Sequence, residues 1–214
     1  MIYVLEPLLT FFLIVFTENL ELESSTRGIL LLFVLLVIYS MSKDIYANFT
    51  LAISFILTQY RDLKEVLLLI LLGVVGTFTG SLIIFLLGED YKDYSNGLAI
   101  WQVLIIEIFT SFFIAIVYYC MFVDVRNQSQ IAGSFAVAAM YSGLAIAFPN
   151  LSAGNFFKII AVFSKDTALV FGSIIGQLIG SVIGGMCYKH IICDNTSIKM
   201  KEIALNTDDM KINF

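Results

Sequence analysis

Charge is scarce in this chain. Asp, Glu, Lys and Arg make up 14% of its 214 residues, against about 25% in an average soluble domain, which excludes a water-facing surface over most of its length. Histidine occurs once, at His190, and this removes the imidazole on which most activated nucleophiles and many zinc sites rely. The three cysteines, Cys120, Cys187 and Cys193, are irregularly spaced; they fit neither a disulfide framework nor a zinc pattern and read as free thiols. No glycine-rich phosphate loop is present. An enzyme is therefore not expected, nor a metal or a cofactor. Proline is limited to Pro7 and Pro149.

What abounds is apolar. Hydrophobic residues reach 59%, above the roughly 45–50% of a soluble domain, and the mean hydropathy is +0.93. A helical span needs about 20 mostly apolar residues, and six stretches qualify, near 2–20, 28–43, 63–87, 99–123, 130–149 and 168–192, the second being short. These features predict an all-α, multi-pass membrane protein with the lipid bilayer as its first partner. The N-terminus MIYVLEPLL has no basic region and no small-residue cleavage site, so the first span is expected to be retained.

Placement of Lys and Arg orients such a chain. With both termini cytoplasmic, eight basic residues (Lys43, Arg61, Lys64, Arg126, Lys189, Lys199, Lys201 and Lys211) lie inside, and four (Arg27, Lys92, Lys158 and Lys165) lie outside or in the membrane. That arrangement is the expected one. The acidic clusters Glu18, Glu21, Glu23 and Glu89, Asp90, Asp93 then face outward. The sequon at Asn195 faces the cytoplasm and is silent, within a polar tail over 194–214.

An internal repeat organises the spans. From Glu6 the first span reads Glu, three residues, Thr10, Phe11-Phe12; from Glu107 the fourth reads Glu, three residues, Ser111, Phe112-Phe113. A carboxylate within a span is expensive and normally faces the protein interior. Two in matching places point to duplication, and three spans per half place the second copy upside down, as an inverted 3+3 repeat over 1–98 and 99–193. Each half also holds an apolar segment too short to span, 46–57 and 152–163, read as re-entrant. Both begin with asparagine and phenylalanine, Asn48-Phe49 and Asn155-Phe156. Asparagine is a favoured helix N-cap, so each segment reads as a loop followed by a half-helix, near 48–58 and 155–164.

Over residues 1–192 this ordered set resembles the major intrinsic protein family of aquaporins and glycerol facilitators. The likeness rests on Glu6 and Glu107, the two short segments, and small-residue contacts at Gly73 and Gly76 in the third span and Gly176 and Gly180 in the sixth. It implies six transmembrane helices plus two re-entrant half-helices, and a homotetramer with one pore per subunit. The function implied is passive passage of water or small neutral solutes such as glycerol, with ions excluded and no nucleic-acid partner. The family's Asn-Pro-Ala tips are here Asn48-Phe49-Thr50 and Asn155-Phe156-Phe157. Without proline the tips lose a pre-set backbone and gain a donor, and Phe49 and Phe156 narrow the pore, close it or pack aside.

Further positions follow from the same resemblance. Lys158, three residues after Asn155, stands where the family has a filter arginine, although a flexible ammonium is a looser device than a planar guanidinium; a lysine snorkelling to the outer interface fits it too. Ser152 takes the loop position of the constriction. On the fifth span either Gly143, which widens the pore, or Tyr141, which narrows it, completes the ring. Phe33 is the candidate on the second span, with a lipid-facing or core role as its alternative. The family's glutamine on the third span is replaced by Gly73.

Trp101, Tyr91, Tyr94, Tyr118 and Tyr119 read as interfacial anchors, His190 as an interfacial residue near a helix end, and the glycines from Gly172 to Gly185 as helix-packing positions. Two competing functions share these features: an inverted-repeat secondary transporter coupling through Glu6 or Glu107, and a non-conducting structural or regulatory relative of a channel.

Overall fold

Long runs of Leu, Ile, Val and Phe satisfy their backbone groups internally by coiling into helices. The computed structural model describes residues 2–18, 24–42, 48–86, 98–124, 129–148 and 167–192, and among them every regular element is helical. In order these are α1 (Ile2–Glu18), α2 (Ser24–Met41), α3 (Phe49–Leu57), α4 (Leu63–Leu86), α5 (Ile100–Tyr118), α6 (Gln130–Ala147) and α7 (Thr167–Cys187). Single π-helical turns, Tyr119–Val123 and Tyr188–Ile192, continue α5 and α7.

Length separates two classes of helix. α4 has 24 residues, about 36 Å, more than the roughly 30 Å of a bilayer's hydrocarbon core. Among the described residues four stretches are long and apolar enough to cross a membrane: Leu63–Leu86, Ile100–Val123, Gln130–Ala147 and Leu169–Ile192. α1 and α2 carry the shorter apolar helices Val4–Val15 and Gly28–Met41. α3, with nine residues, reaches only about 14 Å and cannot span. The half-helix expected near 155–164 lies outside the described residues, as do Tyr91, Tyr94 and the tail over 194–214.

Glycines bring two helix pairs together backbone to backbone. Gly76 and Gly80 of α4 face the carbonyls of Pro7 and Phe11 on α1. Gly180 and Gly184 of α7 face the carbonyls of Ile108 and Phe112 on α5. The two sets match position by position, because Pro7 and Ile108 each follow a membrane glutamate and Phe11 and Phe112 each lie five residues beyond it. Close approach of this kind yields dispersion contacts that lipid cannot supply. α2 and α6 form a third, antiparallel pair, with Gly28 beneath the Ile146 side chain and the Gln130 Nε2 donating to the Ser40 carbonyl at 3.0 Å.

The core between these pairs is aromatic at one end, and here two expectations need correction. Tyr118 and Tyr119 are not interfacial anchors: both are fully buried. Phe55 of α3 packs on each of them, 5.6 and 4.8 Å between centroids, and Tyr119 stacks on Tyr188 at 5.2 Å where the two π turns meet. The Tyr119 hydroxyl sits between Thr58 at 2.8 Å and Ser54 at 3.1 Å, so the polar end that would mark a membrane interface is used inside the protein. Trp101, by contrast, is exposed.

The glycine seams generate a direct test. A methyl on Gly180 would overlap the Ile108 carbonyl, whereas one on Gly143 meets nothing within 4 Å among the described residues. Gly180→Ala is expected to lose about 1–3 kcal/mol of stability through forced separation of α5 and α7, and Gly143→Ala to melt no lower than the parent. Circular-dichroism melts in detergent compare them; equal melting temperatures would contradict the packing described.

Candidate functional site

The N-terminus of α3 ends inside the protein. A helix leaves its first four N–H groups without intrahelical partners, and at this end Asn48 supplies one. Its backbone is extended, φ −150° and ψ 113°, and its Oδ1 accepts from the Thr50 N–H at 3.0 Å and the Thr50 hydroxyl at 2.8 Å. Since Thr50 donates its only hydroxyl proton to Asn48, the Ser181 hydroxyl donates to Thr50, at 2.8 Å. The cap is thereby tied to α7. Asn48 is 1% exposed, and with its oxygen committed to α3, the amide nitrogen is its donor end. Phe49 takes the first helical position, half-buried.

At the opposite end α3 closes in a Schellman turn. Gln59 adopts φ 63°, its N–H bonds the Ile56 carbonyl at 3.1 Å, and the Tyr60 N–H bonds the Phe55 carbonyl at 3.0 Å. The Lys189 ammonium donates to the Thr58 carbonyl at 3.1 Å, a cation at the negative end of the helix dipole. Both ends of α3 are thus held by α7 or its π extension.

The two membrane glutamates are buried but differently partnered. Glu107 accepts from the Ser173 hydroxyl at 2.9 Å through Oε1 and from Gln177 Nε2 at 3.1 Å through Oε2. These hydrogen bonds offset the desolvation of a buried carboxylate. Glu6 lies near Tyr39 of α2 and Tyr141 of α6, and the Tyr141 hydroxyl faces both Asn48 and Tyr39. Tyr39 is 0% and Tyr141 3% exposed, yet among the described residues neither hydroxyl completes a hydrogen bond of normal length and angle.

Of the residues expected from sequence, the structure brings together Asn48, Thr50, Glu6 and Tyr141. Gly143, two residues beyond Tyr141, has no atom of another described residue within 4 Å of where a Cβ would sit. Phe33 is not part of this group: it is 61% exposed, on a stripe with Ile29 and Val37 that turns away from the buried face of Leu31, Leu35 and Tyr39. Its place in a constriction is corrected to the outer apolar face of α2. Ser152, Asn155, Phe156, Phe157 and Lys158 lie outside the described residues. Sequence reading missed Tyr39, Ser173, Gln177 and Ser181. Ser173, Gln177 and Ser181 each follow one of the α7 glycines at four-residue spacing, which was the available signal for a polar stripe beside a packing seam.

No family model and no curated protein matches the sequence. Among solved structures, the chain is similar to the X-ray structure of the aquaglyceroporin from Plasmodium falciparum, with a TM-score of 0.67 and 18% identity over 90% of this chain and 96% of that one. The fold is aquaporin-like. An aquaporin-like fold built on these apolar helices makes the chain an integral membrane protein. Within the aquaporin-like fold α3 is a half-helix whose capped end is buried, and the cap is open to measurement. Asn48→Ala is expected to cost about 1 kcal/mol, seen as a lower unfolding midpoint, while Asn48→Ser retains most of the stability; a midpoint unchanged in Asn48→Ala would contradict the capping role.

Proposed function

We propose that this protein is a passive channel for water and small neutral solutes such as glycerol, from which ions are excluded. The observation that carries the reading is the buried, Asn48-capped N-terminus of a helix too short to cross the membrane. Such an end carries roughly +0.5 elementary charge and an amide donor, which disfavour a cation and suit a water or hydroxyl oxygen. The likeness to an aquaglyceroporin over 90% of the chain supports the same conclusion. No catalysis, metal or cofactor enters it.

In this reading the chain is an inverted repeat, supported by the matched glycine contacts of α1–α4 and α5–α7, with halves 1–98 and 99–193. The second tip is Asn155 with Phe156 and Phe157. Lys158 adds a positive charge and Ser152 a polar group at the outer constriction, and Gly143 leaves room beside them. Both termini face the cytoplasm, in keeping with the eight-to-four distribution of basic residues, and the protein assembles as a homotetramer.

Stopped-flow swelling of proteoliposomes tests the function. The expected result is water or glycerol flux that rises linearly with the gradient and is indifferent to pH gradients and to monovalent ions. Saturable, proton-linked uptake would instead indicate a transporter coupling through Glu6 or Glu107, and flux no greater than that of empty liposomes would contradict conduction.

A further inference from the structure

Tyr39 and Tyr141 combine two properties that rarely occur together. Their rings are buried, and their hydroxyls face each other without completing a hydrogen bond of normal length and angle. Tyr39 stacks on Phe122 with centroids 5.8 Å apart and an interplanar angle of 28°, and meets Tyr118 edge to face at 6.4 Å. Gln130 pins the turn that carries it through the neighbouring Ser40 carbonyl. Tyr141 projects from α6 toward the α3 tip, beside Asn48 and Tyr39. A buried hydroxyl short of a well-formed hydrogen bond is unfavourable, and most buried polar side-chain atoms in folded proteins have one. These two hydroxyls lie together with Asn48 and Glu6, and an oxygen-bearing guest admitted among them would meet polar groups of the kind that hold an ordered buried water.

We propose that Tyr39 and Tyr141 form a constriction of the conducting path next to the Asn48 tip, at which their hydroxyls bind the permeating water or polyol and their rings set its size. The proposal rests on the channel reading above. It differs from the constriction proposed at Lys158 in chemistry, being neutral, aromatic and built by α2 and α6 against α3. Both roles are held by one ring each: the hydroxyl replaces part of the hydration that the guest sheds, and the face of the ring excludes wider guests. Tyr39 is a specificity-determining residue on this account and not merely a core aromatic.

Water and glycerol permeabilities of reconstituted full-length protein separate the alternatives, with the glycerol-to-water ratio as the readout. A merely structural defect lowers the active fraction and leaves that ratio unchanged. Tyr39→Phe and Tyr141→Phe keep the ring and are expected to reduce flux severalfold, with the larger loss for glycerol, which offers more hydroxyls. Tyr39→Ala and Tyr141→Ala remove the ring and are expected to raise the ratio severalfold. Val37→Ala, on the outer face of α2, serves as the control with parental values. Flux that emerges only in the alanine variants also supports the constriction, as one closed in the parent. A conducting parent whose four tyrosine variants all keep its ratio overturns the constriction and leaves the channel standing. Absence of flux from the parent and from every variant overturns both.

Discussion

A helix that stops partway through an apolar bundle has N–H groups with neither an intrahelical partner nor water to receive them. That constraint governs the arrangement around α3. Asn48 accepts from the Thr50 N–H of the first turn, Thr50 is shared between Asn48 and Ser181, and the last turn is closed by the Gln59 and Tyr60 N–H groups and by Lys189. Once those groups are in place, the end of α3 is a fixed positive dipole in a low-dielectric surround. In the proposed channel, the features that make a buried helix end costly also select between neutral and charged guests.

The glycine seams make that placement possible. Backbone contact between α1 and α4, and between α5 and α7, draws each pair close enough for α3 to seat between α4 and α7 and against the aromatic end of α5. The buried carboxylates lie along these seams. Glu107 is anchored by two side chains of α7, whereas Glu6 is associated with Tyr39 and Tyr141, with Gly73 present where a glutamine would be expected from the resemblance. The α1–α4 and α5–α7 pairs therefore share a backbone plan and differ in polar detail. The difference concentrates beside the α3 tip, where the tyrosine hydroxyls meet without a hydrogen bond of normal length and angle.

Much of the plan was legible because membrane helices leave strong signals. Long apolar runs mark the spans, and a nine-residue apolar segment behind an asparagine marks α3 and its cap, since length and capping chemistry are local properties. The direction in which an aromatic side chain points is not local. Tyr118 and Tyr119 carry the composition of interfacial anchors, but α3 brings Phe55, Ser54 and Thr58 against them from far along the chain. Phe33 and Tyr39 lie six residues apart on one helix, and only the placement of α6 decides that Tyr39 faces inward and Phe33 outward. Gln177 escaped notice for the same reason: its partner Glu107 is 70 residues away.

The account stands most directly on the claim that Asn48 is at once a structural cap and the donor met by the permeating molecule. Asn48→Asp separates the two roles, because aspartate caps a helix as well as asparagine does but removes the amide donor and places a negative charge at the tip. Ion conductance of planar bilayers, measured beside water flux in proteoliposomes, reads the outcome. The account predicts a folded Asn48→Asp protein that loses water flux or admits cations the parent excludes. Parental water flux with ion exclusion intact would contradict it.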